Sequence, residues 1–182
     1  MKKVVMITGC LGFIGSHVTR RCLGAGWYVM GVDKETYASN LEYLEEFCHY
    51  PNFTYVRKDI GDIDRLPDCD YIINTAAETH VDNSISKSKV FLESNINGVY
   101  NLLELLRTQK QNRPTLLHFS TDEVYGDIEE GVHSEECLLK PSNPYSASKA
   151  SADQLILAWH KTYGIPYIIL RPTNNYGPGQ YV

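Results

Sequence analysis

Apolar and polar positions follow two periods along this chain, and their order predicts its elements. Residues 4–7 form an unbroken apolar run, the signature of a strand buried on both faces of a parallel sheet. A glycine-rich stretch (8–17) follows, then a helix-like segment to about Gly24 and a second apolar run (27–32) that closes on Asp33. Residues 40–48, rich in Leu and Glu, predict a short helix, and 53–56 a strand leading to Asp59 and Ile60. A further strand at 71–74 opens into 75–80. From Ser88 to Leu106, Val90, Phe91, Ile96, Val99, Leu102, Leu103 and Leu106 recur at helical spacing and predict one long helix. A strand at 115–119, a helix from Pro144 to about Tyr163 and a strand at 165–170 complete the series. Pro144 suits the first position of that helix, with Asn143 or Ser142 as its cap.

Strand and helix alternate throughout, which predicts an α/β fold: a doubly wound parallel sheet of Rossmann type with helices on both faces. Ligands of such sheets sit beyond the carboxyl ends of the strands. Gly9, Asp33, Asp59, Thr75 and Thr121 all fall at such ends. Residues 126–143 are polar without clear periodicity and read as a surface excursion or a lid.

A length of 182 residues allows one domain, or one domain and the start of a second, and 43% hydrophobic content suits a packed core. The net charge of −5, with no basic stripe, argues against a nucleic-acid partner. The cysteines at 10, 22, 48, 69 and 137 form no C-x-x-C pair and no metal-ligand set, which fits thiols in a reducing compartment. No apolar run reaches membrane-spanning length, and the apolar start of the chain is broken by Thr8 and Gly9. A cytoplasmic location is the expectation.

The chemistry is sharper. Strand, Gly9-x-x-Gly12-x-x-Gly15, helix, strand and acid in this order make a dinucleotide-binding unit. Asp33, 18 residues past Gly15, is placed to bond the ribose hydroxyls of NAD and to repel a 2′-phosphate. The run Ser120-Thr121-Asp122-Glu123-Val124-Tyr125-Gly126 sets two carboxylates beside a hydroxyl. Alone it reads as a turn with a capping acid; beside a dinucleotide unit it reads as acid–base machinery. Tyr145 and Lys149, four apart on a predicted helix, share one face. A free phenol titrates near 10, so a Tyr145 base working at neutral pH needs a downward shift of about 3 units, roughly 4 kcal/mol. The Lys149 ammonium and a positive nicotinamide ring are the groups expected to supply it.

With these residues in view the chain resembles the extended short-chain dehydrogenase/reductases, and within them the nucleotide-sugar 4,6-dehydratases of the dTDP-glucose type. The matching stretches are TGCLGFIGSH, VDKETYASN, Asp59-Ile60, NTAAETHVDNSI, STDEVYG, YSASKAS and RPTNNYGP. The resemblance implies that Phe13 and Ile14 line the pyrophosphate turn, that Asp33 and Lys34 meet the adenosine ribose, and that Asp59 and Ile60 border the adenine. It implies that Ala76 and Ala77 run along the cofactor, that Thr79 and Asn174 approach the sugar, and that Ser94 and Asn175 touch the nicotinamide side. Thr79, Ser94 and Asn174 also have plainer readings as polar groups of turns and helices. Residues 1–182 are thus expected to be an NAD-binding domain that carries the catalytic residues, with the C-terminal substrate-binding part largely absent.

The reaction so implied converts dTDP- or UDP-glucose to a 4-keto-6-deoxy sugar, as in rhamnose-type deoxysugar synthesis. Tyr145 and NAD oxidise C4 with Thr121 bonded to its oxygen, Glu123 takes the C5 proton, and a protonated Asp122 releases the C6 hydroxyl as water. A homodimer is expected of the full-length protein. The rivals are an epimerase of the same family and an NAD-binding module without turnover.

Overall fold

The computed structural model describes residues 2–109 and 111–180. Tyr181 and Val182, the end of the chain, lie outside them. Six strands, β1 (Val4–Thr8), β2 (Tyr28–Asp33), β3 (Phe53–Arg57), β4 (Tyr71–Asn74), β5 (Thr115–Phe119) and β6 (Tyr167–Leu170), form one sheet in the order β3-β2-β1-β4-β5-β6. Every pairing is parallel. The strand order reverses between β1 and β4, and this is where a crevice opens in such sheets. The fold is of the doubly wound Rossmann type.

Two apolar layers cover the sheet. On one face α1 (Phe13–Gly24) and α2 (Leu41–Cys48) close over Val5, Ile7, Val29, Phe47 and Ile73. On the other, α5 (Gly98–Thr108) and α6 (Pro144–Tyr163) close over Met6, Ile72, Leu102, Leu106, Leu116 and Ile156. Alternate residues of β1, β4 and β5 therefore serve opposite layers, as the pleat requires. None of the described helices is long and apolar enough to cross a membrane.

Helix α6 begins where its sequence predicts. Asn143 accepts the Ser146 N–H at 2.8 Å while the Ser146 hydroxyl accepts the Asn143 N–H at 3.2 Å, and Pro144 fills the first turn. Gly164 ends the helix in the left-handed region at φ 68°.

The expected long helix at 88–106 is not uniform. It runs as α4 (Ser88–Phe91), a π-helical segment (Leu92–Asn97) and α5. The wider turn shifts the buried stripe, so Ser94 and Asn95 point inward while Val90 and Leu92 are exposed. A short helix, α3 (Val81–Ser86), precedes it in a stretch with no apolar period. Residues 126–143 form no helix or strand; Lys140 N–H donates to the Val124 carbonyl, and Cys137 and Leu139 pack on Val124, Tyr125 and Ala150.

One polar row crosses the second apolar layer just below the strand ends. Thr8, Asn74 and His118 are register partners on β1, β4 and β5. The Thr8 hydroxyl donates to Asn74 Oδ1 at 2.6 Å, and the Asn74 amide lies 2.9 Å from His118 Nδ1. The amide donates, so His118 is neutral with its proton on Nε2.

Candidate active site

The groove at the carboxyl ends begins with the glycine turn. Gly9 has φ 69°, and a Cβ there would sit 2.8 Å from Ala76 N; a Cβ on Gly15 would sit 1.9 Å from the Gly9 oxygen. Those two glycines let strand, turn and helix close on one another. Gly12 has more room and caps α1 without a side-chain bond, leaving the first-turn N–H groups of Phe13, Ile14 and Gly15 without intrahelical acceptors. This is the geometry that receives a diphosphate.

Beyond it lies a cavity walled by Asp33, Lys34, Ser39, Asp59, Ile60, Ala76, Ala77 and Ser94. Asp33 is buried and already supports the turn. Its Oδ2 accepts Leu11 N–H at 3.0 Å, and its Oδ1 accepts Glu35 N–H at 2.9 Å and the Ser39 hydroxyl at 2.8 Å. A carboxylate has about four acceptor sites, so a ribose hydroxyl must use the remaining one or displace Ser39. Asp59 caps the 3₁₀ turn Ile60–Asp62 through Gly61 N–H at 2.9 Å and stands 3.4 Å from Lys34 Nζ. Ser94 accepts from Lys34 Nζ at 2.7 Å. It lines the same cavity as Asp33.

The other end gathers the acid–base residues. Thr121 caps a 3₁₀ turn (Asp122–Tyr125); its hydroxyl accepts Glu123 N–H and donates to Asp122 Oδ1, both at 3.3 Å. Asn143 Nδ2 donates to Glu123 Oε2 at 3.3 Å. Asp122 and Glu123 open onto a cleft whose far walls are the 126–135 excursion, Arg171 and Asn174. Thr79 is exposed on the loop after β4. Asn175 is exposed and donates to the Thr173 carbonyl at 3.1 Å.

Tyr145 and Lys149 are both buried on α6. Burial first, and then the Glu123 and Asp122 charges, push the Tyr145 phenol up to about 12, against a hydrogen bond from Thr121 that pulls it down. Lys149 donates to the Phe119 carbonyl, and burial pushes its ammonium down to about 8 despite the Asp153 charge. In the free protein, burial thus disfavours the charged form of both groups.

Two supports escaped the sequence reading. Asn95, turned inward by the π-helical segment, bonds both main-chain groups of Glu78 at 2.8 and 2.9 Å and the Ser148 hydroxyl at 2.9 Å, so it ties the loop after β4 to α6. Arg171 Nε meets the buried Asp153 at 2.9 Å and its NH1 meets Tyr125 OH at 2.7 Å, pinning the turn that carries Asp122 and Glu123. The available signal was a polar pair, Ser94-Asn95, inside an apolar helix.

The profile of the family described as GDP-mannose 4,6 dehydratase matches residues 6–182. The chain belongs to that family. The dTDP-glucose 4,6-dehydratase of Streptomyces niveus is 42% identical over 187 residues, covering 97% of this chain and 55% of its own length. The crystal structure of the dTDP-glucose 4,6-dehydratase of Streptomyces venezuelae, solved with NAD bound, superposes with a TM-score of 0.90 at 40% identity, over 98% of this chain and 58% of that one. A UDP-glucuronic acid 4-epimerase of Bacillus cereus, in complex with UDP-glucuronic acid and NAD, also reaches 0.90, at 31% identity over 97% of this chain and 58% of that one. The chain spans about half the length of the curated 4,6-dehydratase relatives it matches.

Proposed function

We propose that this chain carries the NAD-binding and acid–base half of a nucleotide-sugar 4,6-dehydratase. The observation that carries the reading is the pair Asp122 and Glu123 on one short turn, with Thr121 and Tyr145 beside them. An epimerase needs oxidation at C4 alone; adjacent carboxylates supply the two further proton transfers that elimination of water requires.

The residues present fit NAD. The turn at Gly9, Gly12 and Gly15 leaves N–H groups open to a diphosphate, and the cavity beside Asp33 has an acid at the ribose and the apolar Ile60 and Ala76 in its wall. NAD, when bound, supplies the acceptor for oxidation at C4 and the reductant for C6, so the reaction is redox-neutral. Tyr145, in the phenolate form that the positive nicotinamide ring would favour, takes the proton of the C4 hydroxyl while Thr121 bonds that oxygen. Glu123 then removes the C5 proton, made acidic by the new ketone. Asp122 gives a proton to the C6 hydroxyl, which leaves as water, and Glu123 returns its proton to C5 as C6 is reduced. Lys149 holds the end of β5 against α6 and places its charge at the Tyr145 end of the groove.

The substrate we infer is dTDP- or UDP-glucose, and the product a 4-keto-6-deoxy sugar of the rhamnose type. The five cysteines are free, which suits a reducing cytoplasm. The exposed Leu92 and Tyr100 near α5 and Tyr163 on α6 offer a face for a homodimer of the full-length protein. The test uses a protein extended to the length of the relatives and supplied with both sugars. Release of the 4-keto-6-deoxy sugar supports the reading, release of a C4 epimer replaces it with an epimerase, and NAD binding without any product leaves a binding module. Glu123→Gln and Asp122→Asn should stall after oxidation with bound reduced nicotinamide; Tyr145→Phe should never reach it.

A further inference from the structure

Three basic residues lie around Asp33, and each is engaged by an acid. Lys34 pairs with Asp59 at 3.4 Å and Glu78 at 3.6 Å, Lys58 with Asp64 at 3.3 Å, and Arg57 with Glu35 at 2.9 Å. Arg57 is the register partner of Asp33 on the adjacent strand, so the two side chains leave the sheet on the same face. It is also the most exposed of the three cations, at 69%.

Glu35 is held in place from several sides. Its N–H donates to Asp33 Oδ1 at 2.9 Å, its Oε1 accepts the Tyr55 hydroxyl at 3.0 Å, and its Oε2 receives Arg57. Its backbone sits in the left-handed region at φ 60°, which a glutamate adopts only when its surroundings require it. The carboxylate is thus fixed between the acid that faces a ribose and the arginine beside it.

A phosphate on a ribose hydroxyl near Asp33 brings close to two negative charges, and a guanidinium fork is the side chain that best receives them. This chain has such an arginine on the strand beside Asp33, and it is turned to Glu35. We propose that Glu35 is a specificity-determining residue for the dinucleotide: by engaging Arg57 it withholds the guanidinium that would take a 2′-phosphate. The inference rests on the NAD reading above. It adds to the repulsion by Asp33 a second, separable element of discrimination against NADP.

The experiment measures NAD and NADP binding calorimetrically for the chain as it stands, for Glu35→Gln, and for Glu35→Gln combined with Arg57→Gln. Glu35→Gln should tighten NADP relative to NAD by about tenfold, the scale of one charge-assisted hydrogen bond, and the double variant should lose most of that gain. Glu35→Ala makes the same comparison should the amide disturb the loop. A parent that binds NAD, with Glu35 variants whose preference is unchanged, overturns this inference and leaves the NAD reading intact. A gain that survives removal of Arg57 overturns it too. A parent that binds neither dinucleotide overturns the NAD reading and this inference with it.

Discussion

Lys149 donates to the Phe119 carbonyl and so ties α6 to the end of β5, one turn along the helix from the buried Tyr145. The ammonium spends a hydrogen bond on the backbone, and burial moves both groups away from their charged forms. The protein alone therefore keeps Tyr145 a phenol.

This predicts a titration. The ultraviolet difference between the chain and Tyr145→Phe should show no tyrosinate from that residue near neutral pH, with ionisation only as pH approaches about 12. A bound nicotinamide adds a positive ring beside the phenol, so saturating NAD should move the transition downward. Tyrosinate at neutral pH in the free protein would show that the chain activates Tyr145 unaided.

The glycine turn gives a paired prediction. In Gly15→Ala the new Cβ meets main-chain oxygen 1.9 Å away, and no side chain can move to relieve it. The cost should reach about 3 kcal/mol or more, the upper end for overpacking, with loss of NAD binding. Gly24→Ala, at the end of the same helix with nothing within 4 Å of the new Cβ, should instead gain up to about 1 kcal/mol. Denaturant melts of both variants measure the contrast.

Most of this arrangement was legible in the sequence because buried parallel strands and amphipathic helices leave strong periods. The groove was legible where its residues, such as Asp33 and Thr121, follow the end of an apolar run. What could not be read had no period or broke one. Helix α3 lies in a polar stretch and is built by local bonds, such as the Ser84 hydroxyl to the Val81 carbonyl at 2.6 Å. The π-helical segment changes the turn in mid-helix, so a uniform 3.6-residue count put Val90 inside and left Asn95 unnoticed. The direction of the Tyr145 shift depended on burial, which sequence spacing does not report.

Arg171 and Asp153 supply a stability prediction. The Asp153 side chain is fully buried and that of Arg171 is 15% exposed. Removing one partner leaves a buried charge, so Arg171→Met should cost about 3–5 kcal/mol. Adding Asp153→Asn should recover part of the loss by removing the stranded carboxylate. Additive losses in urea denaturation would mean that the pair is not coupled.

The last prediction concerns pH and His118. Its ring is buried in the polar row with Asn74 and Thr8, and burial, followed by the Lys149 charge, holds it well below the usual histidine range. A folded-state value below the unfolded one means that the unfolded chain binds the proton first as pH falls. Above about pH 6.5 neither state is protonated at this site and its contribution to stability is complete. Below that the unfolded state gains a proton the folded state cannot accept, and stability falls by up to about 1.4 kcal/mol per pH unit until the folded value is reached. His118→Asn has no titrating ring, so it should be less stable than the parent at neutral pH yet lose less on acidification. The carboxylates common to both proteins largely cancel in the comparison. The gap between their unfolding free energies should therefore narrow steadily as pH drops from about 7 to about 5. A gap that stays constant over that range would mean that His118 takes its proton as readily in the fold as in the unfolded chain, and a gap that widens would mean that the fold holds the charged ring.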